Sequence, residues 1–506
     1  MQEEYYHKYN HDQKSVDNFM SQELLKLSLT DRNAILEETH GVRCIAPEET
    51  PGTIKTALDE LATEIEKLPI KKKRAYLHSQ NPQEFILPDG TKTTSAYVNT
   101  DDFRLRFLRA SLFDAQQAAK LMVKYLEVAL DLFGKFALFR PVNLNDFTNE
   151  EMRVFRTGMG QFLPFRDRNG RRVFVVFQSE RIEEVPQTTR MKILFYMTYS
   201  IATGDLDLQR KGMVAILWSQ GDMKYKFKVT PEKCSVQMHE FAPIRLSAVH
   251  ICTPDTSFYR FARGVWAIGF GRNAFLRIRF HMGTSVELRY VLQSYGINMD
   301  QMPITCTGTI KQQNFKQWMR ARQHLEMNVS NNRRGRNSSE KNSNPISIIE
   351  CPGLNDIIFR KGTSVMSHPG NVLFRSSIQT LYQETETYSA ARSTKILTKK
   401  LIDDLRKKNG RVLVWYQGTR NTDSWWTELK DEEQICTKIE NLVRELKFSK
   451  NKCQTINRAS DNPNSSGSEE PKYLFIESPR DGCFANHRGQ KRPLESGDEN
   501  DGCFSL

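Results

Sequence analysis

The run from Phe241 to Gly283 constrains the fold more than any other stretch of the chain. It reads strand, helix, strand. Residues Ile244 to Cys252 are short, rich in β-branched side chains and bounded by polar turns, the pattern of a mostly buried strand. Pro254 and Asp255 break that strand, and Asp255 or Thr256 can cap a helix. On the helix, Phe258, Phe261, Ala262, Val265, Trp266 and Gly269 recur at i, i+3, i+4, i+7, i+8 and i+11 and form one apolar stripe. Arg260 and Arg263 fall on the opposite face. Leu276 to His281 resumes as a strand. Two readings stay open at this point: an ordinary helix packed on a sheet, or a movable wall over an apolar cavity. Periodicity does not choose between them.

A second signature lies upstream. Asp101-Asp102-Phe103-Arg104-Leu105-Arg106-Phe107-Leu108-Arg109-Ala110 is followed by Phe113-Asp114 and Ala118-Ala119. With the 241–283 run, this resembles the CRAL-TRIO lipid-binding domain, over roughly residues 95–312. The resemblance implies an α/β CRAL-TRIO fold: a helical N-terminal lobe, then a mixed, largely parallel sheet with helices over a hydrophobic pocket. It implies a pocket and gate built from Phe258, Phe261, Ala262, Val265, Trp266 and Ile268, holding a hydrophobic lipid. Arg260, Arg263, Arg277 and Arg279 are then expected at anionic headgroups, and Arg277 stands where the family carries a basic residue before Ile278. Many relatives have Lys-Pro-Phe-Leu in the gate. Here the stretch is Ala267-Ile268-Gly269-Phe270, so a ligand other than an inositol phospholipid is expected.

The remaining chain divides by pattern. Residues 1–94 read as a helical, partly loose extension, with Ile54, Ala57, Leu58, Leu61 and Ile65 as one stripe. Lys71-Lys72-Lys73-Arg74 is a solvated helix end, or else a nuclear-import or membrane-surface element. Residues 95–145 are the helical lobe, closed by Gly134, and 146–327 the lipid-binding domain. Strands are expected at Val173–Phe177, Met213–Trp218, Ile244–Cys252, Leu276–His281 and Ile304–Thr309, with helices near Thr188–Thr203 and Ser285–Tyr295. Residues 328–350 read as an Asn/Ser/Arg-rich linker, and the segment from 449 as a disordered tail.

Residues 351–448 form a small α+β domain. Its pieces are the Asn355–Phe359 strand, the Ser367-His368-Pro369-Gly370-Asn371 loop, the Arg411–Tyr416 strand, Trp425-Trp426, and a closing helix with Ile435, Ile439 and Val443. It resembles a small domain, widespread in diatom proteins, to which no chemistry is assigned. Lys395, Lys399, Lys400, Arg406, Lys407, Lys408 and Arg411, against Asp403 and Asp404, make the helix before the Arg411–Tyr416 strand basic, which leaves a protein or nucleic-acid partner open.

Composition narrows the function. The formal charge of +13 favours phosphate-bearing partners such as an anionic membrane surface. The most apolar run, Met213 to Trp218, is far shorter than the roughly 20 residues that span a bilayer, so no transmembrane anchoring is expected. Nine cysteines without a CxxC pair fit reduced thiols rather than a metal site or disulfide framework. GxSxG, HExxH and GxxxxGK[ST] are all missing, and His250 and His368 read as lone structural histidines. The expectation is a non-enzymatic lipid binder or lipid-transfer protein with no metal or cofactor, cytoplasmic and peripheral at membranes. The alternative is a lipid-responsive adaptor acting through residues 351–448. The terminal Cys503-Phe504-Ser505-Leu506 leaves prenylation of Cys503 open.

Overall fold

The computed structural model describes residues 21–22, 24–80, 85–86, 92–93, 97–178, 184–219, 238–260, 262–263, 276–305, 307–333, 347–360, 365, 367–386, 394–418 and 424–445. The chain divides into two compact units, Met1–Arg444 and Glu445–Leu506, and all described residues but Glu445 belong to the first.

The N-terminal part is helical: α1 (Leu29–Thr39), α2 (Pro51–Lys67), α3 (Asp101–Ala110) and α4 (Ala115–Phe133). Each start is written in the sequence. Thr50 and Thr53 make a capping box with Pro51 at the first turn of α2, and Asp114 accepts from Gln117 N at the start of α4. Gly134, at φ 85°, ends α4 with a backbone conformation that glycine adopts freely. Ala57, Leu61 and Ile65 of α2 are buried against the α4 seam, as the stripe predicts. The basic run after α2 is not simply solvated. Lys73 is buried, and its ammonium donates to the Ile65 and Glu66 carbonyls at 3.0 Å, satisfying the C-terminus of α2.

A five-stranded sheet follows, formed by β1 (Gly160–Phe162), β2 (Arg172–Gln178), β3 (Met213–Ser219), β4 (Leu246–Thr253) and β5 (Ile278–Met282). The spatial order is the chain order. β1 is antiparallel to β2, and all other pairs are parallel. Helices α5 (Gln187–Gly204) and α6 (Leu206–Lys211) connect β2 to β3, and α7 (Ser285–Ser294) follows β5. Four of the five expected strands are present. The exception is Ile304–Thr309, where a single antiparallel bridge joins Ile304 to Ile310. The antiparallel edge is the three-residue β1 instead, too short and glycine-led to show in a periodicity.

Side-chain alternation gives the sheet two distinct faces. Val173, Val175, Phe177, Val214, Ile216, Trp218, Ala248 and Cys252 pack on one side with Leu288 and Leu292 of α7. On the other side Phe174 joins the large helical-lobe core, while Ala215, Val249, Ile251 and Ile278 form a separate cluster with Leu217, Leu246 and Phe280 at its margin. Helix α8 (Gln313–Arg333) carries Phe315 and Trp318 back into the main core and runs several residues into the segment read as a linker.

The small C-terminal part places β6 (Ile357–Phe359), α9 (Pro369–Glu386), α10 (Thr394–Lys407), β7 (Val412–Gln417) and β8 (Ser424–Glu428) in sequence, then a helix over 432–445. β7 is central, parallel to β6 and antiparallel to β8. The His-Pro-Gly-Asn loop starts α9. There the Asn371 amide accepts from Ile358 N and donates to Ile358 O, both at 2.8 Å, replacing a missing strand neighbour. His368 is buried against Phe165 of the sheet part, ring centroids 5.4 Å apart. It is a packed structural histidine.

Candidate ligand-binding site

The apolar cluster Ala215, Val249, Ile251 and Ile278 is one buried patch: alternate residues of three adjacent parallel strands, all on one face. A helix over 257–260 and 262–263 follows β4 and meets this face, because the Arg263 guanidinium sits over the Phe280 ring, 5.5 Å from its centroid. Ala262 is fully buried and Phe258 half-buried. Tyr259, outside the expected stripe, is the most buried aromatic among the described residues of the helix. Phe261, Val265, Trp266 and Ile268 lie outside the described residues.

The four arginines expected at a headgroup do not gather in one patch. Arg260 is exposed and pairs with Asp255 at 2.8 Å. Arg263 is half-buried on Phe280 rather than on an outer face. Arg279 donates to its neighbours' carbonyls, Leu276 O at 3.1 Å and Ile278 O at 2.8 Å. Arg277 donates to the carboxylate of Glu38, at the end of α1.

Glu38 is the centre of an arginine cluster that sequence reading does not reveal. It has no exposed surface. Arg245 Nη1 donates to its Oε2 at 2.7 Å, and Arg277 Nη1 donates to the same oxygen. Arg171, itself fixed to Asp167 at 2.7 Å, donates to the Glu38 backbone carbonyl. Arg171, Arg245 and Arg277 stand just before β2, β4 and β5, so three parallel strands present guanidinium groups at their N-terminal ends. One carboxylate, brought from more than 200 residues away, neutralises two of them. Burial lowers the Arg277 pKa, and Glu38 opposes that shift.

His250, read as a lone histidine, is paired. Its Nδ1 lies 3.0 Å from His281 Nε2, and both rings pack on Tyr295. Burial pushes His250 well below the usual histidine value, and burial followed by the Arg279 charge takes His281 down to about 4. Both rings are therefore neutral near pH 7. Adjacent parallel strands bring the two rings together diagonally, since His250 is in register with Arg279 and His281 with Cys252, and no spacing in the sequence marks the pair.

Among the described residues no group of three or more His, Cys, Asp or Glu can hold a metal ion, and no helix is long and apolar enough to cross a membrane. Residues 356–445 match a family model described as "Domain of unknown function (DUF6824)". Clavesin-1 of Xenopus laevis is 25% identical over 171 residues, 32% of this chain and 48% of that protein. Clavesin-1 of Rattus norvegicus is 26% identical over 171 residues, 32% and 45% of the two chains. The chain thus spans under half the length of these curated relatives. The similarity supports a CRAL-TRIO domain here. A solved structure titled "Crystal structure of Sfh5" overlays with a TM-score of 0.31 at 14% identity, covering 50% of this chain and 90% of that one, too loosely to bear on function.

Proposed function

We propose that this protein binds a hydrophobic lipid on the floor formed by Ala215, Val249, Ile251 and Ile278 and carries or presents it at a membrane surface, without chemical turnover. The observation that carries this reading is an apolar face of a parallel sheet met at its Phe280 margin by the helix after β4. The stretch bearing Phe261, Val265, Trp266 and Ile268 is the proposed cover. Burying apolar surface yields about 25 cal/mol per Å2, so one acyl chain of several hundred Å2 binds without specific polar contacts. An apolar cover opens most readily against a bilayer, where its stripe stays out of water. The basic balance of the chain draws it to anionic surfaces, with exposed Arg260 one contact.

A second reading has one observation in its favour. The small domain is tied to the sheet part by Arg166 Nε to Pro352 O at 3.1 Å and by Arg322 to Glu350 at 2.7 Å. Such ties would let lipid occupancy be reported to an adaptor surface. The test of the first reading is transfer of a pyrene-labelled phospholipid between vesicles. The native chain should accelerate transfer. Ala215→Phe, which fills the floor, should lose that acceleration while keeping the native circular dichroism. Unchanged transfer in the variant would remove the floor from the account.

A further inference from the structure

A cavity of about 200 Å3 opens between the sheet part and the small domain. Its walls are unlike the lipid floor. The sheet part contributes Phe162, Arg172 and Trp318, and the small domain contributes Arg360, Trp415 and Trp425. Three N–H donors on these walls find no acceptor among the described protein groups: Arg172 Nε, Trp318 Nε1 and Trp425 Nε1. Their side chains belong to residues only 2%, 9% and 6% exposed. An indole N–H can only donate, and a buried donor left unmet is costly, so three around one cavity call for an acceptor from outside.

The charges around the cavity point the same way. Arg172 lies 3.6 Å from Asp205, but Asp205 also holds Arg166 at 2.8 Å, so one carboxylate serves two guanidinium groups. Glu350, on the wall, is committed to Arg322. Arg360 stacks on the Trp415 ring, 4.1 Å from its centroid. Asp300 is the other acid on the lining. Trp318, Trp415 and Trp425 already carry Phe315, Arg360 and Tyr416 on one side, so a flat ring would use their remaining cavity-side surface, and the stranded donors suit an anionic acceptor.

We propose that this cavity binds a small planar aromatic carboxylate, its ring against the tryptophans and its carboxylate accepting from Arg172, Trp318 and Trp425, with the Arg360 guanidinium on the same wall as the further cation that holds the anion. Such a ligand touches both parts of the chain, so it also stabilises the small domain against the sheet part. The size allows one ring and a short acidic arm, not a lipid tail.

The test is isothermal titration of the full chain with indole-3-acetate and benzoate, against benzamide, cyclohexanecarboxylate and inorganic phosphate. The expected result is saturable one-to-one binding of an aromatic carboxylate, with the neutral, non-aromatic and phosphate probes weaker. Trp425→Phe keeps the ring and removes one donor, and should weaken binding about tenfold, as should Arg360→Gln by removing a cation. Native circular dichroism of both variants separates lost binding from lost fold. If Trp425→Phe fails to fold, Arg360→Gln carries the test alone. No saturable heat up to about 5 mM, or equal binding of native chain and Arg360→Gln, would overturn the proposal. So would equal binding of the neutral amide.

Discussion

Replacing Glu38 with Gln perturbs the chain at its most concentrated electrostatic contact. The amide keeps an acceptor oxygen at the same place but removes the charge. Glu38 is fully buried, and the side chains of its partners Arg245 and Arg277 are only 8% and 15% exposed, so water cannot replace the lost counter-ion. Arg171 keeps Asp167 and is spared. Breaking a buried pair while leaving the partner charge in place costs about 3–5 kcal/mol, and two guanidinium groups share this loss. Urea unfolding of the full chain, followed by circular dichroism, reads the effect. With a slope of about 3 kcal/mol/M, the midpoint should fall by about 1–1.7 M. A double-mutant cycle with Arg277→Met should show coupling above about 1 kcal/mol, because that change removes one orphaned charge. A midpoint within about 0.3 M of native would refute the claim that Glu38 neutralises the strand-end arginines.

Three further outcomes are expected. The unfolded chain protonates histidine near pH 6.5, whereas folded His281 waits until about 4 and burial also holds His250 well below the usual value, so stability is full above about 6.5 and falls as pH drops toward 4, by up to about 3 kcal/mol for His281. Urea midpoints at pH 7.5 and 5 measure this, and His281→Asn should flatten the slope. Asp356→Asn removes a buried carboxylate that accepts from Arg411 Nη2 at 2.7 Å, Arg411 N at 3.0 Å and Gly353 N at 2.7 Å; it should cost about 2–4 kcal/mol, read by faster limited proteolysis after residue 350. In Gly370→Ala the new Cβ would lie 2.1 Å from Asp356 O, a backbone atom that cannot swing away, so the small domain should lose cooperative melting while Gly134→Ala, with open space around it, pays only for its backbone angle.

Much of the architecture is legible in the residues. β2, β3, β4 and β5 announce themselves as short β-branched runs, and α2, α4 and α7 as apolar stripes with side-chain caps. What stays hidden is whatever depends on distant neighbours. Nothing in Glu37-Glu38-Thr39 marks the middle residue as the one destined for Arg245 and Arg277, because the pairing is set by where α1 meets the sheet. The His250–His281 contact is hidden for the same reason, since register between parallel strands fixes it. Arg277 is visible as a basic position, yet its side chain serves an internal carboxylate. The antiparallel β1 is invisible because three residues carry no period.

Native mass spectrometry of the full chain, purified without detergent, followed by organic extraction of the bound fraction, tests the lipid reading most directly. The account predicts one extractable hydrophobic lipid per chain, released by stripping and reloaded from vesicles, with the reloaded form melting at higher temperature. A chain that emerges at its bare mass, and whose melting no lipid raises, would contradict it.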